Sequence, residues 1–279
     1  MNFYQLNYLS KNILDKGFKI LNNPKLIELY FNEYFKGKIF NLKIDSYIIS
    51  YPKCGRTWLY KILSLYSLKI NSKNYVKDRK LLKFSDTFIK FVHDCSDPSP
   101  YPIKPTKFKN KDLINKKKLI LLRDPREVIV SHWHHLSFRE KTYNRSISEF
   151  IDDEYLGVEK IISFYNFLNS KSLNNSKIIT YEKLVKDTFE EIKKILIFLN
   201  LEINESLVKE CIDDCSFEKL QKNEIMETKN TDIKTMKFRK GLSGNFNNDL
   251  SEEDLVKINN RIRQKLSGRF KDKLNLTNI

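Results

Sequence analysis

The stretch YPKCGRTW, residues 51 to 58, contains groups that are suited to binding a phosphate. Lys53 can reach a phosphate, Gly55 lets the backbone approach it, and Thr57 can donate from the start of a following helix. Trp58 offers a flat face for a base. The same residues would also suit an ordinary Pro-Gly turn followed by a core tryptophan. The stretch differs from the nucleotide-triphosphate loop GxxxxGK[ST], because here the lysine precedes the glycine.

Two further stretches carry anion-binding groups. LLRDPREVIVSHWHH places Arg123 at the end of a strand and Ser131 on the following helix, a guanidinium and a hydroxyl that can hold a second phosphate. FRKGLSGNF adds a basic, glycine-containing loop with Arg239, Lys240 and Gly241. Three separated anion-binding elements indicate a ligand with more than one phosphate position.

The elements that must position these residues alternate between strand and helix. DSYIISYP, TFIKFVHD, KKLILLRDP and SKIITYE predict four strands, and all but the second lead directly into a loop and a helical pattern. Such alternation predicts an α/β fold, a central parallel sheet flanked by helices with a P-loop-like strand-loop-helix. Because ligands bind at the carboxyl ends of the strands in such sheets, we expect the three stretches to converge there.

The length of the chain suits one domain. Its 279 residues are enough for a single sizeable α/β unit with a well-buried core. Residues 1 to 45 mix aromatic positions with Lys and Asn at roughly helical spacing, and we predict a helical lead-in there. Residues 46 to 279 are predicted to form the domain itself.

Charge and cysteine usage limit the class of protein. A net charge of +16 favours anionic partners, but lysine is scattered through the whole chain, so we expect no nucleic-acid partner. No apolar run approaches the length of a membrane span, and the N-terminus lacks the apolar block of a signal peptide. The four cysteines form no CxxC pair, which is typical of reduced thiols and predicts a cytoplasmic location.

In its three anion-binding stretches the chain resembles the sulfotransferase family that uses 3′-phosphoadenosine 5′-phosphosulfate (PAPS). Members carry YPKSGTTW, RDPRDVxVSxxxH and RKGxxGDWK, which appear here as YPKCGRTW, RDPREVIVSHWHH and RKGLSGNFN. The order and spacing are kept over residues 51 to 249. The resemblance implies transfer of a sulfuryl group from PAPS, without a metal, to an acceptor hydroxyl on a small molecule or glycan, with an amine as the less favoured acceptor.

The resemblance also implies which residues bind the donor. The first loop would hold the 5′-phosphosulfate and stack the adenine, with Lys53, Cys54, Gly55, Arg56, Thr57 and Trp58. The 3′-phosphate would be held by Arg123, Ser131, Arg239, Lys240 and Gly241. Tyr181, in a YE pair after a strand, and Phe217, in CSFEKLQKNE, would contact the adenine.

Catalysis needs a base for the acceptor hydroxyl and a cation for the leaving oxygen. The family histidine ends the second strand, which here makes His93 in KFVHDCS the expected base, although it would also suit the polar end of a strand. Lys53 is the expected leaving-group cation, modulated by Ser131. By analogy with phosphoryl transfer we expect in-line geometry. Cys54, Arg56 and Phe91 depart from the family pattern, the last at a position where many members have lysine.

Several alternatives remain open at this point. A kinase-like nucleotide enzyme, a basic nucleic-acid-binding protein and a family member that binds the nucleotide without catalysis each fit part of the sequence. A metal site at His132, His134 and His135 is not favoured, because the paired ligands and acid of a zinc helix are missing. Residues 97 to 105 and 138 to 155 are expected to shape the acceptor pocket, and a sugar, a phenol or an acidic glycan would suit it equally. The oligomeric state is left open.

Overall fold

A mixed five-stranded sheet forms the centre of the protein. The computed structural model describes residues 43–70, 81–93, 111–171, 174–239, 244 and 246–279. The strands, in chain order from β1 to β5, are Ser46–Ser50, Leu81–Phe84, Thr87–Val92, Lys117–Leu122 and Ser176–Thr180, and they lie in the order β2-β3-β1-β4-β5. β1 pairs in parallel with β3 and β4, and β4 pairs in parallel with β5.

The predicted α/β fold is therefore confirmed, with one addition. The four predicted strands are the parallel ones, and β2 forms an antiparallel edge on β3. All five residues of β1 and five of the six in β4 are buried, as expected for apolar strands that are covered on both faces. The sheet thus has a parallel centre and a hairpin at one edge.

Helices cover the sheet. In chain order from α1 to α10 they are Arg56–Ile70, Pro125–His134, Ile147–Ile151, Val158–Ser170, Tyr181–Lys186, Thr188–Leu199, Glu205–Asp214, Phe217–Thr228, Glu252–Lys265 and Gly268–Lys273. A π-helix, His135–Arg139, continues α2, and short 3-10 turns lie at Lys111–Ile114, Ile233–Thr235 and Phe246–Asn248. No helix among these described segments is long and apolar enough to cross a membrane.

One predicted helix is divided in the structure. The pattern KLVKDTFEEIKKILIFLN predicts a single helix, but the chain breaks it at Asp187, whose φ of −141° and ψ of 65° are not helical. α5 begins after Thr180, whose side chain accepts a hydrogen bond from the Lys183 N–H, and α6 ends at Asn200 with a left-handed φ of 57°. α5 is consequently a short helix directly at the carboxyl end of β5.

The parallel strands bring the predicted site residues to one edge of the sheet. The phosphate-binding loop follows β1, His93 follows β3, Arg123 follows β4 and Tyr181 follows β5. Because carboxyl ends of parallel strands meet at the same edge, these residues converge.

Some predictions lie outside the described residues. These are the helical lead-in up to residue 42, the proline-rich loop 97–105, Lys240 and Gly241. The division into a lead-in and a domain stays a prediction.

Candidate active site

A cavity of about 530 Å³ opens at the carboxyl ends of the parallel strands. It brings together eleven of the predicted site residues: Lys53, Gly55, Arg56, Thr57, Trp58, His93, Arg123, Ser131, Tyr181, Phe217 and Arg239. Among the described residues that line it, six basic side chains face three acidic ones. The cavity is therefore suited to a polyanionic ligand.

The loop between β1 and α1 has the backbone of an anion-binding turn. Lys53 and Gly55 both have positive φ, 70° and 86°, so the backbone of the loop is not extended at these positions. A Cβ at Gly55 would collide with the ring of Tyr181, so glycine is required for space as well as for φ. The loop ends where α1 begins, and the first N–H groups of a helix are available to an anion.

Cys54 is the one residue of the predicted site in this loop that does not line the cavity. Its side chain is fully buried, does not line the cavity, and lies with Sγ 3.5 Å from the Tyr165 hydroxyl. Burial raises the pKa of the thiol to about 12. The structure thus leaves only the backbone of Cys54 for ligand binding, because the side chain fills the core behind the loop.

Lys53 lies at the centre of a group of cations. Burial, followed by the positive charges of Arg139, Lys237, Arg123 and Arg239, lowers the pKa of its ammonium to about 7. A bound anion would reverse this effect by stabilising the charged form. Lys53 is therefore poised to take up a proton when a phosphate or sulfate arrives.

Arg123 is held rigidly beside the loop. Its Nη1 donates to the Lys53 carbonyl at 3.0 Å and its Nη2 to Glu127 at 2.9 Å, while the guanidinium carbon lies 4.3 Å from the centre of the Tyr181 ring. Its Nε is buried and has no hydrogen-bond partner among the described residues. A buried, unpartnered donor on a fixed guanidinium fits a ligand phosphate oxygen. Ser131, two turns further along α2, faces the same cavity.

Aromatic side chains also line the cavity. Trp58 donates its indole N–H to the Cys215 carbonyl at 2.9 Å, and its ring lies 6.3 Å from that of Tyr181. Phe217, the first residue of α8, packs edge-on against Phe238 at 6.3 Å. These rings provide apolar faces of the kind that hold a nucleic-acid base.

His93 is oriented by the end of β1. Its Nδ1 lies 2.9 Å from the Ser50 carbonyl. Because a carbonyl only accepts, Nδ1 carries the proton in the neutral ring and Nε2 carries the lone pair. The imidazole lines the cavity and can act there as a base through Nε2.

Glu127 is a site residue that the sequence reasoning missed. One carboxylate oxygen accepts from Arg123, and the other accepts from the Gly244 N–H at 2.6 Å. It therefore ties the RDPR segment to the glycine-containing loop, whose Arg239 also lies 3.9 Å from Asp249. The signal in the sequence was its position four residues after Arg123, a spacing that allows an ion pair at the start of a helix.

The three histidines of α2 and its π-helical extension point to different neighbours. His132 packs between the rings of Tyr51 and Phe150, and His134 contacts Asp249 at 3.0 Å. Burial, followed by the charge of Lys53, lowers the pKa of both His132 and His135 to about 3, so both are neutral near pH 7. In the described parts of the chain no group of three or more His, Cys, Asp or Glu side chains could hold a metal ion.

No nearby lysine replaces the one that many family members have at the position of Phe91. Phe91 is buried against Tyr60, with ring centres 5.3 Å apart, and neither Phe91 nor Lys90 lines the cavity. Arg139, in the 138–155 segment that was expected to shape the acceptor pocket, does line it. It ends the π-helix, an element that is often found at functional sites.

Comparison with known proteins gives a consistent result. A family model described as a sulfotransferase domain matches residues 43–270. The luciferin sulfotransferase of Photinus pyralis is 23% identical over 269 residues, covering 80% of this chain and 72% of that protein. The flavonol 4′-sulfotransferase of Flaveria chlorifolia is 26% identical over 265 residues, covering 80% of this chain and 79% of that protein. The crystal structure of mouse sulfotransferase SULT7A1 complexed with PAP shares the fold, with a TM-score of 0.61 at 19% identity over 84% of this chain and 89% of that one.

Proposed function

This chain belongs to the sulfotransferase family, and from that membership and the site we propose that it transfers a sulfuryl group from PAPS to an acceptor hydroxyl, with His93 as general base. The observation that carries the proposal is the convergence in one cavity of two anion-binding groups, the Lys53 loop and the Arg123 guanidinium. A donor with a 3′-phosphate and a 5′-phosphosulfate needs both. Adenine-sized aromatic faces lie beside them.

The residues present fit this donor. Gly55 gives the loop its positive φ and lets it pack directly against Tyr181, and Arg123 keeps a buried donor, Nε, without a protein partner in the described residues. We propose that the loop and α1 hold the 5′ end, with Arg56 and Thr57, and that Arg123, Ser131 and Arg239 hold the 3′-phosphate. The mouse structure, which was solved with PAP, supports this assignment by its shared fold.

Three side chains would take part in the reaction. The acceptor oxygen forms a bond to sulfur as the bond from sulfur to the 5′-phosphate oxygen breaks. His93 Nε2 takes the proton of the acceptor hydroxyl, and the Lys53 ammonium stabilises the negative charge on the leaving oxygen. Ser131, in the same cavity, would adjust the position of Lys53. The protein supplies position and charge, as in other in-line transfers.

The acceptor is proposed to be a small molecule with a hydroxyl group. The relatives from Photinus pyralis and Flaveria chlorifolia bear the names of hydroxyl-bearing small molecules. A cytoplasmic location fits the free thiols of Cys54, Cys211 and Cys215 in the described residues.

Calorimetric titration tests the donor site. Adenosine 3′,5′-bisphosphate should bind much more tightly than 5′-AMP or ATP, and Arg123→Ala should weaken the bisphosphate by about 10- to 100-fold, since it removes a charge-assisted contact. Arg263→Ala, on α9 and away from the cavity, is the matched control and should change nothing. Equal affinity for the bisphosphate and 5′-AMP would contradict the proposal.

A further inference from the structure

One part of the cavity wall is not explained by the donor. It is formed by residues of the π-helix and of the segment before the basic loop: His135, Leu136, Arg139, Glu140 and Lys237. Four of these five side chains are polar or charged. Pockets for neutral aromatic ligands are lined mainly by apolar side chains, so this wall predicts a different kind of ligand.

Arg139 is the best placed of these residues to bind an anion. Its Nη1 donates to Glu224 at 2.8 Å, and its side chain is 32% exposed. Its Nε and Nη2 have no protein partner among the described residues. A planar guanidinium fixed at one nitrogen presents its other donors in the fork that matches a carboxylate or phosphate.

Glu224 does not cancel the charge of Arg139. The carboxylate also accepts hydrogen bonds from the backbone N–H groups of Lys237, at 2.8 Å, and of Phe238, at 3.1 Å. Its negative charge is shared among three donors, so it acts chiefly to hold the Lys237 segment against the π-helix. The ion pair therefore fixes Arg139 at the cavity wall.

The wall lies close to the reacting groups. After burial, Arg139 and Lys237 are the charges that lower the pKa of the Lys53 ammonium most. The same two cations, after burial, Lys53 and His132, also lower the pKa of the His135 imidazole. Glu140 lies 3.8 Å from Nε2 of the neutral His135, and water screens its carboxylate because the side chain is 49% exposed. The wall therefore has two cations, Arg139 and Lys237, against one screened carboxylate.

We infer that Arg139 and Lys237 form an acceptor subsite for an anionic oxygen group, so that the preferred acceptor carries a carboxylate, sulfate or phosphate besides its hydroxyl. This inference rests on the proposed function, because it names the substrate class of the same site. A neutral apolar acceptor would displace water from both cations without replacing their hydrogen bonds. An acidic acceptor would replace them.

Three phenols provide the probes: 3-(4-hydroxyphenyl)propionate, its amide, which has nearly the same shape without the charge, and the cationic tyramine. With PAPS saturating, kcat/KM for the carboxylate should exceed that for the amide at least about tenfold, with tyramine the poorest. In Arg139→Gln the preference should fall to about threefold or less, through KM rather than kcat, while affinity for adenosine 3′,5′-bisphosphate is kept.

Controls separate the subsite from a structural role of Arg139. Lys237→Gln should reduce the carboxylate preference without touching the Glu224 ion pair. Lys234→Gln, three residues earlier and outside the cavity, should leave it unchanged. If none of the phenols is turned over, their binding to the protein saturated with the bisphosphate is measured by calorimetry, where the same order and the same loss are expected.

Two results would overturn the inference while the donor site stands: equal use or binding of carboxylate and amide, or a carboxylate preference that survives in both Arg139→Gln and Lys237→Gln. Failure to bind the bisphosphate at all would be a different result, because it would remove the proposed function and the inference with it.

Discussion

The protonation of Lys53 should make donor binding dependent on pH. In the free protein the pKa of its ammonium is lowered to about 7 by burial and by neighbouring cations. A bound bisphosphate stabilises the charged form and raises that pKa. The pKa is therefore higher in the complex than in the free protein. Affinity is fully present below the free pKa and is lost as pH rises towards the pKa of the complex.

The magnitude follows from the free pKa of about 7. If the pKa in the complex is about 10 or higher, affinity for the bisphosphate should fall by about 50-fold between pH 7 and pH 9. At pH 8 binding should take up about 0.9 of a proton, because most free molecules then carry neutral Lys53. Ligand phosphates titrate near pH 6 and contribute little above pH 7.5.

Calorimetry in two buffers of different ionisation enthalpy measures this proton uptake directly. The slope of the observed enthalpy against buffer ionisation enthalpy gives the number of protons bound. Lys53→Arg keeps a charge that does not titrate in this range, so its affinity should be nearly constant from pH 7.5 to 9. Lys83→Arg, on β2 and outside the cavity, should behave like the unaltered protein.

Two results would refute the reasoning about Lys53. One is the absence of proton uptake at pH 8. The other is a Lys53→Arg variant whose affinity falls with pH as steeply as that of the unaltered protein. Either would mean that Lys53 is already charged before the donor arrives, despite the surrounding cations.

Three further predictions concern the base, the loop and the core. His93→Ala should lower kcat, measured as the rate of formation of sulfated product, by about 10²- to 10⁴-fold. Its affinity for the bisphosphate should be unchanged. Gly55→Ala should abolish tight bisphosphate binding in the same titration, because its φ is 86° and the new methyl group meets Tyr181, whereas Gly268→Ala, which meets nothing within 4 Å, should bind normally. Tyr66→Phe should lower the free energy of unfolding in urea by about 1–3 kcal/mol, since the hydroxyl bonds a backbone carbonyl and a backbone N–H just before α7.

Each of these predictions can fail in a distinct way. Undiminished turnover by the His93 variant would assign the base to another group. Normal binding by the Gly55 variant would show that the loop can move away from Tyr181. An unchanged urea midpoint for the Tyr66 variant would mean that water replaces both hydrogen bonds at no cost.

The sequence was sufficient to predict the elements that carry the site. Apolar runs such as YIIS and LILL have one stable place, inside a parallel sheet, and glycine and proline mark the loops that follow them. Because ligands bind at the carboxyl ends of parallel strands, the sequence alone predicts that Lys53, His93, Arg123 and Tyr181 lie together. Local pattern and a general rule of topology were enough here.

Other features could not be predicted because they depend on contacts between distant segments. Nothing local distinguishes Cys54, whose thiol turns into the core against Tyr165, from a side chain that faces the ligand. Glu127 acquires its role only when Gly244 approaches from more than a hundred residues away. β2 is a four-residue strand whose pairing is visible only beside β3.

The cavity combines a surplus of positive charge with a lysine that can give up its proton. Six basic side chains around one cavity repel one another, and loss of the Lys53 proton relieves part of that repulsion before a ligand binds. In the proposed mechanism, an arriving anion would restore the charge on the ammonium that stabilises the leaving oxygen. Because Arg139 and Lys237 act on the same ammonium, an acidic acceptor bound at their subsite would also favour charged Lys53. Donor and acceptor would then each promote the protonation state that transfer requires, even though both are anions.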